Sequence, residues 1–403
     1  MALSGVKSST DNRNTMRVLL IYEQDSIDGF GGTATYLRRI VDGLLQSGNS
    51  VFLTYPKYTG EIEHYLQGAK LLPIEIKRDS YRKNVNHFAT ILNNRVQTMI
   101  VDHGIDVVHL IFGWYLFHYF DFSKVFKLGK KAFVTVHNVP PQECRKTFAG
   151  DSYIRRLTGV LYESFQVMQS FCFIHRIDKK VKIIVPCNNV KKRLKKYFSS
   201  NPIMVIHHGY DNSFLPDTVE DNACDSKKCK ILTVAGIAPG KNLNLLIDIA
   251  SKLQNKNKYH FTIVGSIRDQ KYYNYLQKKI KKKGLDSNFC FSIDCSNDDL
   301  IRLYKESTLY VQPSRDEGFC LAALDAAAIG LRVIGSDIGE IGSIAKLSGG
   351  REIKYNDTDG YCRAIEELTK DQTCLFAKRA NVIRSKYNWA ATTKQLVAYY
   401  NEK

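Results

Sequence analysis

Short apolar runs recur along the whole chain, and segments with the helical spacing of apolar residues separate them. In the first half the runs read MRVLLIY, SVFLTYP, DVVHLIF, KAFVTVHN, VKIIVPC and NPIMVIHH, and in the second half KILTVAG, HFTIVG, NFCFSID, LYVQPS and RVIGSD. Continuous apolar runs are typical of strands covered on both faces, which indicates parallel sheets with helices above and below. Because the order strand–helix–strand repeats in both halves, the pattern predicts an α/β protein with two doubly wound domains.

The two halves open alike, with a strand, a glycine-bearing loop and a helix. The expected helices each carry one apolar face, made by Leu37, Ile40, Val41, Leu44 and Leu45 in the first and by Leu243, Leu245, Leu246 and Ile249 in the second. Between the halves lies the polar stretch FLPDTVEDNACDSKKCK, which has no periodicity. It predicts a linker.

Composition narrows the class of protein without identifying a partner. The chain has 403 residues and a net charge of +18, which favours polyanionic neighbours such as nucleic acid, anionic lipid or phosphorylated substrates. The polar first residues do not read as a secretory signal, and no apolar run reaches the roughly 18 residues that span a bilayer. The ten scattered cysteines are therefore expected to be reduced thiols in the cytoplasm, and their spacings argue against a zinc site.

Candidate binding residues stand at predicted strand ends, where open parallel sheets bind ligands. Gly31 and Gly32 follow the first strand without forming the dinucleotide fingerprint G-x-G-x-x-G. Lys241 is expected at the start of the helix that follows KILTVAG, where the helix dipole disfavours a cation unless an anion such as a diphosphate accompanies it. A solvated surface lysine is the alternative.

The segment Pro313 to Asp337 is the most informative. Glu317 lies where a strand gives way to a helix, and Asp325 follows eight residues later, a helical rise of about 12 Å. Both carboxylates are thus expected to face one cleft, unless they are ordinary solvent-facing helix charges. The free amides at the helix start belong to Phe319, Cys320 and Leu321, and they suit phosphate oxygens. His137 ends the strand KAFVTVHN and is a further candidate. In a cleft it would contact a sugar hydroxyl or buffer charge, and the alternative is a histidine that is simply hydrogen-bonded in place.

The same segment, PSRDEGFCLAALDAAAIG, resembles the E-x7-E segment of glycosyltransferase family 4, the retaining sugar transferases of GT-B fold. The family's setting is P-S-x-x-E-G-F-x-L-x-x-L-E-A-x-A-x-G. Further matches, in the family's order, are the two glycines after the first strand, DVVH, TVHN, HGYD and NWAATTKQLVAYY. The resemblance extends over nearly the whole chain beyond about residue 16.

The resemblance implies a GT-B architecture, in which two Rossmann-like domains face each other across a cleft. An acceptor domain is expected at residues 16–213, a linker at 214–229 and a nucleotide-sugar donor domain at 230–387. The closing helix at 388–403 is expected to pack back on the first domain.

The resemblance also implies roles for single residues. Glu317, His137 and Lys241 are the expected catalytic set, in which Glu317 holds hydroxyls of the donor sugar, Lys241 the diphosphate, and His137 lines the sugar pocket. The expected donor-binding residues are Gly32, Gly236, Lys241, Glu317, Phe319, Cys320, Leu321 and Asp325, with Asp325 on the ribose, and Gly31 is expected on the acceptor side. No metal or other cofactor is expected, because a lysine, helix dipoles and amides neutralise the leaving diphosphate.

Two positions depart from the family's pattern. The family has G-R-x-x-x-x-K-G after the first strand of the second domain, whereas this chain has Gly236–Ile237 and, after a loop one residue shorter, Lys241–Asn242. Losing the arginine's charge-assisted phosphate contact costs about 1.5–3 kcal/mol, unless a cation such as Arg315 replaces it. Asp325 in place of glutamate also shortens the ribose contact by one methylene group.

The leading interpretation is a retaining glycosyltransferase that uses a nucleotide sugar and a glycan or lipid-linked acceptor in surface polysaccharide or glycolipid biosynthesis. A cytoplasmic location is expected, with peripheral contact to an anionic membrane through basic segments such as KKRLKKYF. The alternatives are a non-catalytic GT-B-like binding subunit, supported by the two departures, and a sugar-nucleotide epimerase. A nucleic-acid partner is not expected, because the aromatic-rich basic motifs of RNA modules are missing.

Overall fold

The computed structural model describes most of the chain, with gaps in both halves. The described residues are 15–24, 31–59, 66–111, 114–139, 157–158, 161, 168, 177–196, 198, 200–212, 215–219, 229–370 and 375–402.

Strands and helices alternate through the first half. In chain order they are β1 Arg17–Tyr22, α1 Gly32–Gln46, β2 Ser50–Thr54, β3 Pro56–Tyr58, β4 Lys70–Leu71, β5 Ile74–Ile76, α2 Tyr81–Asp102, β6 Val107–Ile111, α3 Trp114–Tyr119, α4 Ser123–Phe126, β7 Lys131–Thr135, β8 Lys182–Val185, α5 Asn188–Leu194 and β9 Ile203–Val205. All six strands predicted in this half are confirmed, and the short strands β3, β4 and β5 are additional.

The second half continues the alternation. It contains β10 Cys229–Val234, a 3-10 turn Pro239–Lys241, α6 Asn244–Lys252, a 3-10 turn Lys256–Lys258, β11 Tyr259–Val264, α7 Gln270–Lys282, a 3-10 turn Asp286–Asn288, β12 Phe289–Ser292, α8 Asn297–Glu306, β13 Leu309–Gln312, α9 Leu321–Ala328, β14 Arg332–Ser336, α10 Ile341–Leu347, β15 Arg351–Ile353, α11 Thr358–Leu368, α12 Phe376–Lys386 and α13 Trp389–Asn401. The five predicted strands are confirmed here too, and β15 is additional.

Two large parallel sheets organise these elements. One has seven strands in the order β4-β2-β1-β6-β7-β8-β9, and the other has six in the order β12-β11-β10-β13-β14-β15, while β3 and β5 form a small separate pair. In both large sheets the chain starts near the middle and crosses over through helices, as in doubly wound folds. The predicted α/β class with two parallel-sheet domains is therefore confirmed.

By compactness the chain divides into two units. One comprises Met1–Gly29 with Leu37–Phe133, and the other Phe30–Tyr36 with Val134–Lys403. In the first unit, β1 lies between β2 and β6, and its residues from Val18 to Tyr22 are fully buried. The domain limits expected from the family resemblance stay a prediction.

The core of the second unit fixes the edge of its sheet. Ile231 of β10, Ile263 of β11 and Val311 of β13 pack with Leu246 of α6 and Ile365 of α11, and each is at most 1% exposed. Because β10 pairs with β11 on one side and β13 on the other, all in parallel, the three strands end at one edge. The loops that follow them are thereby held side by side.

Helix α13 is attached within the second unit by several contacts. The Asn388 side chain accepts a hydrogen bond from the Ala391 backbone N–H at 2.8 Å and so caps the helix start. The Thr392 hydroxyl donates to the backbone oxygen of His207 at 2.6 Å, and the Lys182 ammonium donates to that of Glu402 at 3.1 Å. In the described part of the chain, no helix combines the length and the apolar character needed to cross a membrane.

Candidate functional site

The loop after β10 differs from the prediction at Lys241. The sequence predicted that Lys241 starts a helix, but the structure places it at the end of the 3-10 turn Pro239–Lys241, and α6 begins only at Asn244. Pro239 favours the tight turn because its φ is fixed. The argument from a helix dipole acting on Lys241 is therefore wrong, and another group balances its charge.

That group is Glu317, in the loop after β13. The Lys241 Nζ lies 2.7 Å from the Glu317 Oε1, and the two side chains are 30% and 12% exposed. Burial lowers the pKa of Lys241, but attraction to Glu317 and neighbouring acidic groups outweighs it, so the pKa lies above its usual 10.5. The lysine is therefore charged at neutral pH and lies in a partly desolvated position.

A buried polar chain positions the Glu317 carboxylate. The Ser314 hydroxyl donates to the Glu317 Oε1 at 3.1 Å, and the Gln312 Nε2 donates to the Ser314 Oγ at 2.8 Å. The Tyr310 hydroxyl donates to the Gln312 Oε1 at 2.8 Å. Tyr310, Gln312 and Ser314 are fully buried, so the carboxylate rests on a rigid support that starts inside the sheet.

Asn242 joins the loops after β10 and β13. Its φ of 54° is left-handed, a conformation that asparagine tolerates better than most residues other than glycine. This explains how it can stand where the family has glycine. Its Nδ2 donates to the backbone oxygens of Pro313 and Tyr355, each at 3.0 Å, and its Oδ1 accepts from the Arg315 Nε at 3.0 Å. Arg315 is thus oriented beside the lysine loop.

Gly318 brings the Glu317 loop against His137. A Cβ atom on Gly318 would lie 1.9 Å from the backbone oxygen of His137, a distance that no side chain tolerates. On the other side of the loop, the Gly339 φ is 62°, and a Cβ there would lie 2.8 Å from the Glu317 backbone oxygen. Only glycine allows this close contact at position 318, and the contact places the strand-end histidine next to Glu317.

His137 is partly buried and contacts a cluster of buried rings. Its Nδ1 lies 3.2 Å from the His208 Nε2, so one imidazole donates to the other. The Tyr36 ring lies 4.6 Å from His137 and 4.7 Å from His208, and the Trp389 ring stacks on His208 at 5.7 Å. Burial lowers the pKa of His137 to about 3, and burial followed by repulsion from its histidine neighbours lowers that of His208. Both imidazoles are therefore neutral hydrogen-bonding groups at pH 7.

The start of α9 offers unsatisfied backbone donors. Cys320 has a left-handed φ of 76°, a strained conformation for a residue with a side chain. Within the described part of the chain, no hydrogen bond is donated by the backbone N–H of Phe319, Cys320 or Leu321. Their use by an anion stays a prediction. Burial raises the pKa of the Cys320 thiol, which is therefore protonated.

Asp325 bonds to the segment that contains Asp211. It is 7% exposed, and its Oδ1 accepts a hydrogen bond from the Asp211 backbone N–H at 2.8 Å. The carboxylate thus joins α9 to the HGYD segment. Its assignment to a ribose stays a prediction.

The glycine loop of α1 reaches the start of α9. Gly32 is the first residue of α1, and a Cβ on it would lie 3.8 Å from the Leu321 Cδ1. Among the described residues, none lies within 4 Å of a Cβ built on Gly31. The structure therefore brings Gly32 to the predicted donor-binding amides.

Sequence reasoning missed a buried acid in the first unit. Glu23 directly follows β1 and is 3% exposed; its carboxylate accepts from the Tyr81 hydroxyl and from the Leu116 backbone N–H. Burial raises its pKa from 4.5 to about 7, although both hydrogen bonds act in the opposite direction. Its position immediately after an apolar strand is the signal that could have found it.

Metal ligands are a separate question. Among the described residues, no group of three or more His, Cys, Asp or Glu side chains is placed to hold a metal ion. The expectation that the protein works without a metal stays a prediction.

Comparisons with known proteins identify relatives of both halves. The model of Glycosyltransferase Family 4 matches residues 30–214, and that of Glycosyl transferases group 1 matches residues 216–389. The chain is 29% identical over 169 residues to the serotype-specific mannosyltransferase WbdA of Escherichia coli, a match that covers 40% of this chain and 20% of WbdA. It is 24% identical over 234 residues to the lipopolysaccharide 1,2-N-acetylglucosaminetransferase of Salmonella typhimurium, covering 53% of this chain and 60% of that enzyme.

The fold is also found among solved structures. Sucrose-phosphate synthase from Thermosynechococcus elongatus superposes with a TM-score of 0.72 at 16% identity, over 96% of this chain and 98% of that one. The chain spans about a fifth of the length of the first curated relatives it matches. With one family model on each half and the same two-sheet architecture, the chain belongs to glycosyltransferase family 4 and has the GT-B fold.

Proposed function

We propose that this protein transfers a sugar from a nucleotide-sugar donor to a glycan or lipid-linked acceptor, with retention of the anomeric configuration. The observation that carries the proposal is the Lys241–Glu317 pair, with 2.7 Å between Nζ and Oε1, at the shared edge of three parallel strands. It presents an ammonium group for a diphosphate and a carboxylate for sugar hydroxyls within one site. Family membership supports this use of the site.

The role of each residue follows from its charge. As the bond between sugar and diphosphate breaks, negative charge grows on the diphosphate, and the Lys241 ammonium and the open amides of Phe319, Cys320 and Leu321 stabilise it. Glu317, held by Ser314, accepts hydrogen bonds from the donor sugar and fixes its orientation. We assign no protein nucleophile, because the family's retention is attributed to attack from the same face as the departing group.

His137 acts as a neutral partner in this scheme. Its pKa of about 3 excludes an imidazolium at pH 7, so it does not supply positive charge to the diphosphate. A neutral imidazole beside the Glu317 loop can donate to or accept from a sugar hydroxyl. We infer that His137 orients the sugar.

The acceptor belongs, in this proposal, to surface polysaccharide or glycolipid biosynthesis. The names of the E. coli and S. typhimurium relatives, a serotype-specific mannosyltransferase and a lipopolysaccharide transferase, support that class. Helix α5 and the turn that follows it add a basic surface, on which Lys192, Lys195 and Lys196 are exposed. Its Arg193 is not part of that surface, because its guanidinium donates to the Val139 backbone oxygen at 2.7 Å. We propose that these lysines bring the protein to the cytoplasmic face of an anionic membrane.

A donor screen tests the proposal directly. The purified protein is incubated with UDP-, GDP- and ADP-sugars. Binding is measured by thermal shift, and slow hydrolysis of the donor is measured by the release of the nucleoside diphosphate. We expect hydrolysis of at least one donor and its loss in Glu317→Gln, whose Tm in the absence of donor falls only as far as the loss of one partly exposed ion pair requires. Donor binding without hydrolysis or transfer to any acceptor would favour a non-catalytic binding subunit, and conversion of the sugar without release of the nucleotide would favour an epimerase.

Independence from metal is part of the same proposal. Because Lys241 and backbone amides balance the diphosphate, we expect activity to survive EDTA at a concentration that removes divalent ions. Complete loss in EDTA, restored by Mn²⁺ or Mg²⁺, would show that the charge is balanced by a cation.

A further inference from the structure

The loops after β10 and β11 are joined by their backbones. Ile237 and Ile267 form an isolated parallel bridge, the Ile237 N–H donates to the Ser266 oxygen at 2.9 Å, and the Arg268 N–H donates to the Ile237 oxygen at 3.2 Å. Arg268 is thereby fixed beside the segment Gly236–Ile237. Arg268 lies 32 positions after Gly236 and 31 after Ile237, so no local sequence pattern connects the arginine with that segment.

The Arg268 side chain lies across Gly236. A Cβ on Gly236 would be 3.1 Å from the Arg268 Cγ and 3.8 Å from its Nε. The side chain is exposed, and no hydrogen bond or ion pair of its guanidinium is found in the described part of the chain. An arginine laid over a glycine at a strand end, with its charge unbalanced, is placed to meet an anionic ligand.

Ile237 cannot supply that charge. It is 0% exposed and packs in the core of the second unit with Leu246 and Ile263. This side chain therefore points inward, at the position where the family's arginine would stand. Arg315, the substitute considered from the sequence, already donates its Nε to Asn242.

We propose that Arg268 binds the diphosphate of the donor together with Lys241, and so replaces the arginine that this chain lacks after β10. The cation comes from the loop after β11, the strand next to β10 in the sheet. Gly236 contributes to diphosphate binding, because the absence of a side chain allows the stem of Arg268 to cross it. This inference rests on the proposed function and names the second cation of its donor site.

Removing the charge while keeping most of the stem tests the assignment. Binding of UDP, GDP and ADP, and of the matching monophosphates, is measured by calorimetry for wild type, Arg268→Gln and Arg268→Lys. A charge-assisted hydrogen bond contributes about 1.5–3 kcal/mol, so Arg268→Gln is expected to weaken the preferred diphosphate about 10- to 150-fold, and the monophosphate less. Arg268→Lys is expected to recover part of the loss. Lys281→Gln, an exposed charge about 20 Å further along α7, is the matched control and is expected to change neither affinity.

A second pair of variants tests the role of Gly236. Gly236→Ala introduces a carbon 3.1 Å from the arginine stem and is expected to weaken diphosphate binding in wild type. In the Arg268→Gln background, the same change is expected to have a smaller effect, because the guanidinium that it displaces is already gone. Equal effects in both backgrounds would contradict the coupling and with it the proposal.

The outcomes separate this inference from the function on which it rests. If wild type binds a nucleoside diphosphate and Arg268→Gln binds it within twofold, the inference is wrong and the proposed function stands. An equal loss for mono- and diphosphate would also overturn it, since the arginine would then not act on the second phosphate. If wild type binds none of the three diphosphates, both proposals fail.

Discussion

Replacing Lys241 by methionine separates the role of the ion pair in stability from its role in donor binding. Methionine keeps the length of the stem and removes the charge. Without the ammonium group, the Glu317 carboxylate, which is 12% exposed, retains the Ser314 hydroxyl as a donor but loses its countercharge. Both the free energy of unfolding and the affinity for the donor are expected to fall.

The loss of stability and the loss of donor affinity differ in size. Breaking a buried pair by removing one partner costs about 3–5 kcal/mol, whereas an exposed pair contributes about 0–1 kcal/mol. The exposures of 30% and 12% place this pair between those limits, so we expect a loss of about 1–3 kcal/mol in stability. Donor affinity should fall separately by about 10- to 150-fold, the value of one charge-assisted phosphate contact.

The double variant Lys241→Met/Glu317→Gln distinguishes the two effects. It removes both charges, so no uncompensated carboxylate remains, and the Tm is expected to return most of the way to wild type. Nucleoside diphosphate affinity, measured by calorimetry on the same samples, is expected to stay low. If Lys241→Met instead binds every nucleotide as tightly as wild type, the lysine is structural only, and the non-catalytic binding subunit becomes the preferred hypothesis.

Three further changes test other parts of the structure. Glu317→Ala is expected to abolish transfer through kcat, whereas Asp325→Ala is expected to raise KM more than it lowers kcat; equal small effects would contradict both assignments. Gly318→Ala puts a carbon 1.9 Å from a backbone oxygen and is expected to cost about 1–3 kcal/mol and lower the Tm, whereas Gly32→Ala, with 3.8 Å of clearance, keeps the Tm. Because the pKa of Glu23 rises from 4.5 to about 7, the folded state binds a proton that the unfolded chain releases, so stability falls as pH rises through that window. Glu23→Gln is expected to remove this fall in stability and to raise the free energy of unfolding at pH 8 by about 3 kcal/mol relative to wild type, as measured by urea unfolding. A pH profile of stability parallel to that of wild type would refute it.

The sheets were predictable because burial on both faces leaves a continuous apolar run in the sequence. Val18 to Tyr22 and Leu309 to Gln312 are completely buried strands of this kind. The strands β4 and β15 were not predicted, since they are two and three residues long and partly exposed. A strand of that length leaves no period to detect.

The candidate site was predictable only where an ionisable side chain stands at the end of a strand. Glu317, Lys241 and His137 stand at such ends, and the structure places Lys241 beside Glu317 and His137 against the same loop. The helix expected at Lys241 was wrong because the left-handed conformation of Asn242 interrupts the chain before α6. Arg268 was missed because its contact with Gly236 depends on a bridge between two loops, which no local spacing encodes.

The ring cluster of Tyr36, His208 and Trp389 has a consequence for biosynthesis. The elements that meet there are made far apart in time, since Thr392 of α13 bonds to His207 across 185 positions. On the ribosome, the predicted donor residues are complete before the tryptophan that stacks on His208 has been synthesised. A chain cut short between these points would expose aromatic surface and offer proteases a target. A chain interrupted before α13 would thus lack the ring that stacks on His208.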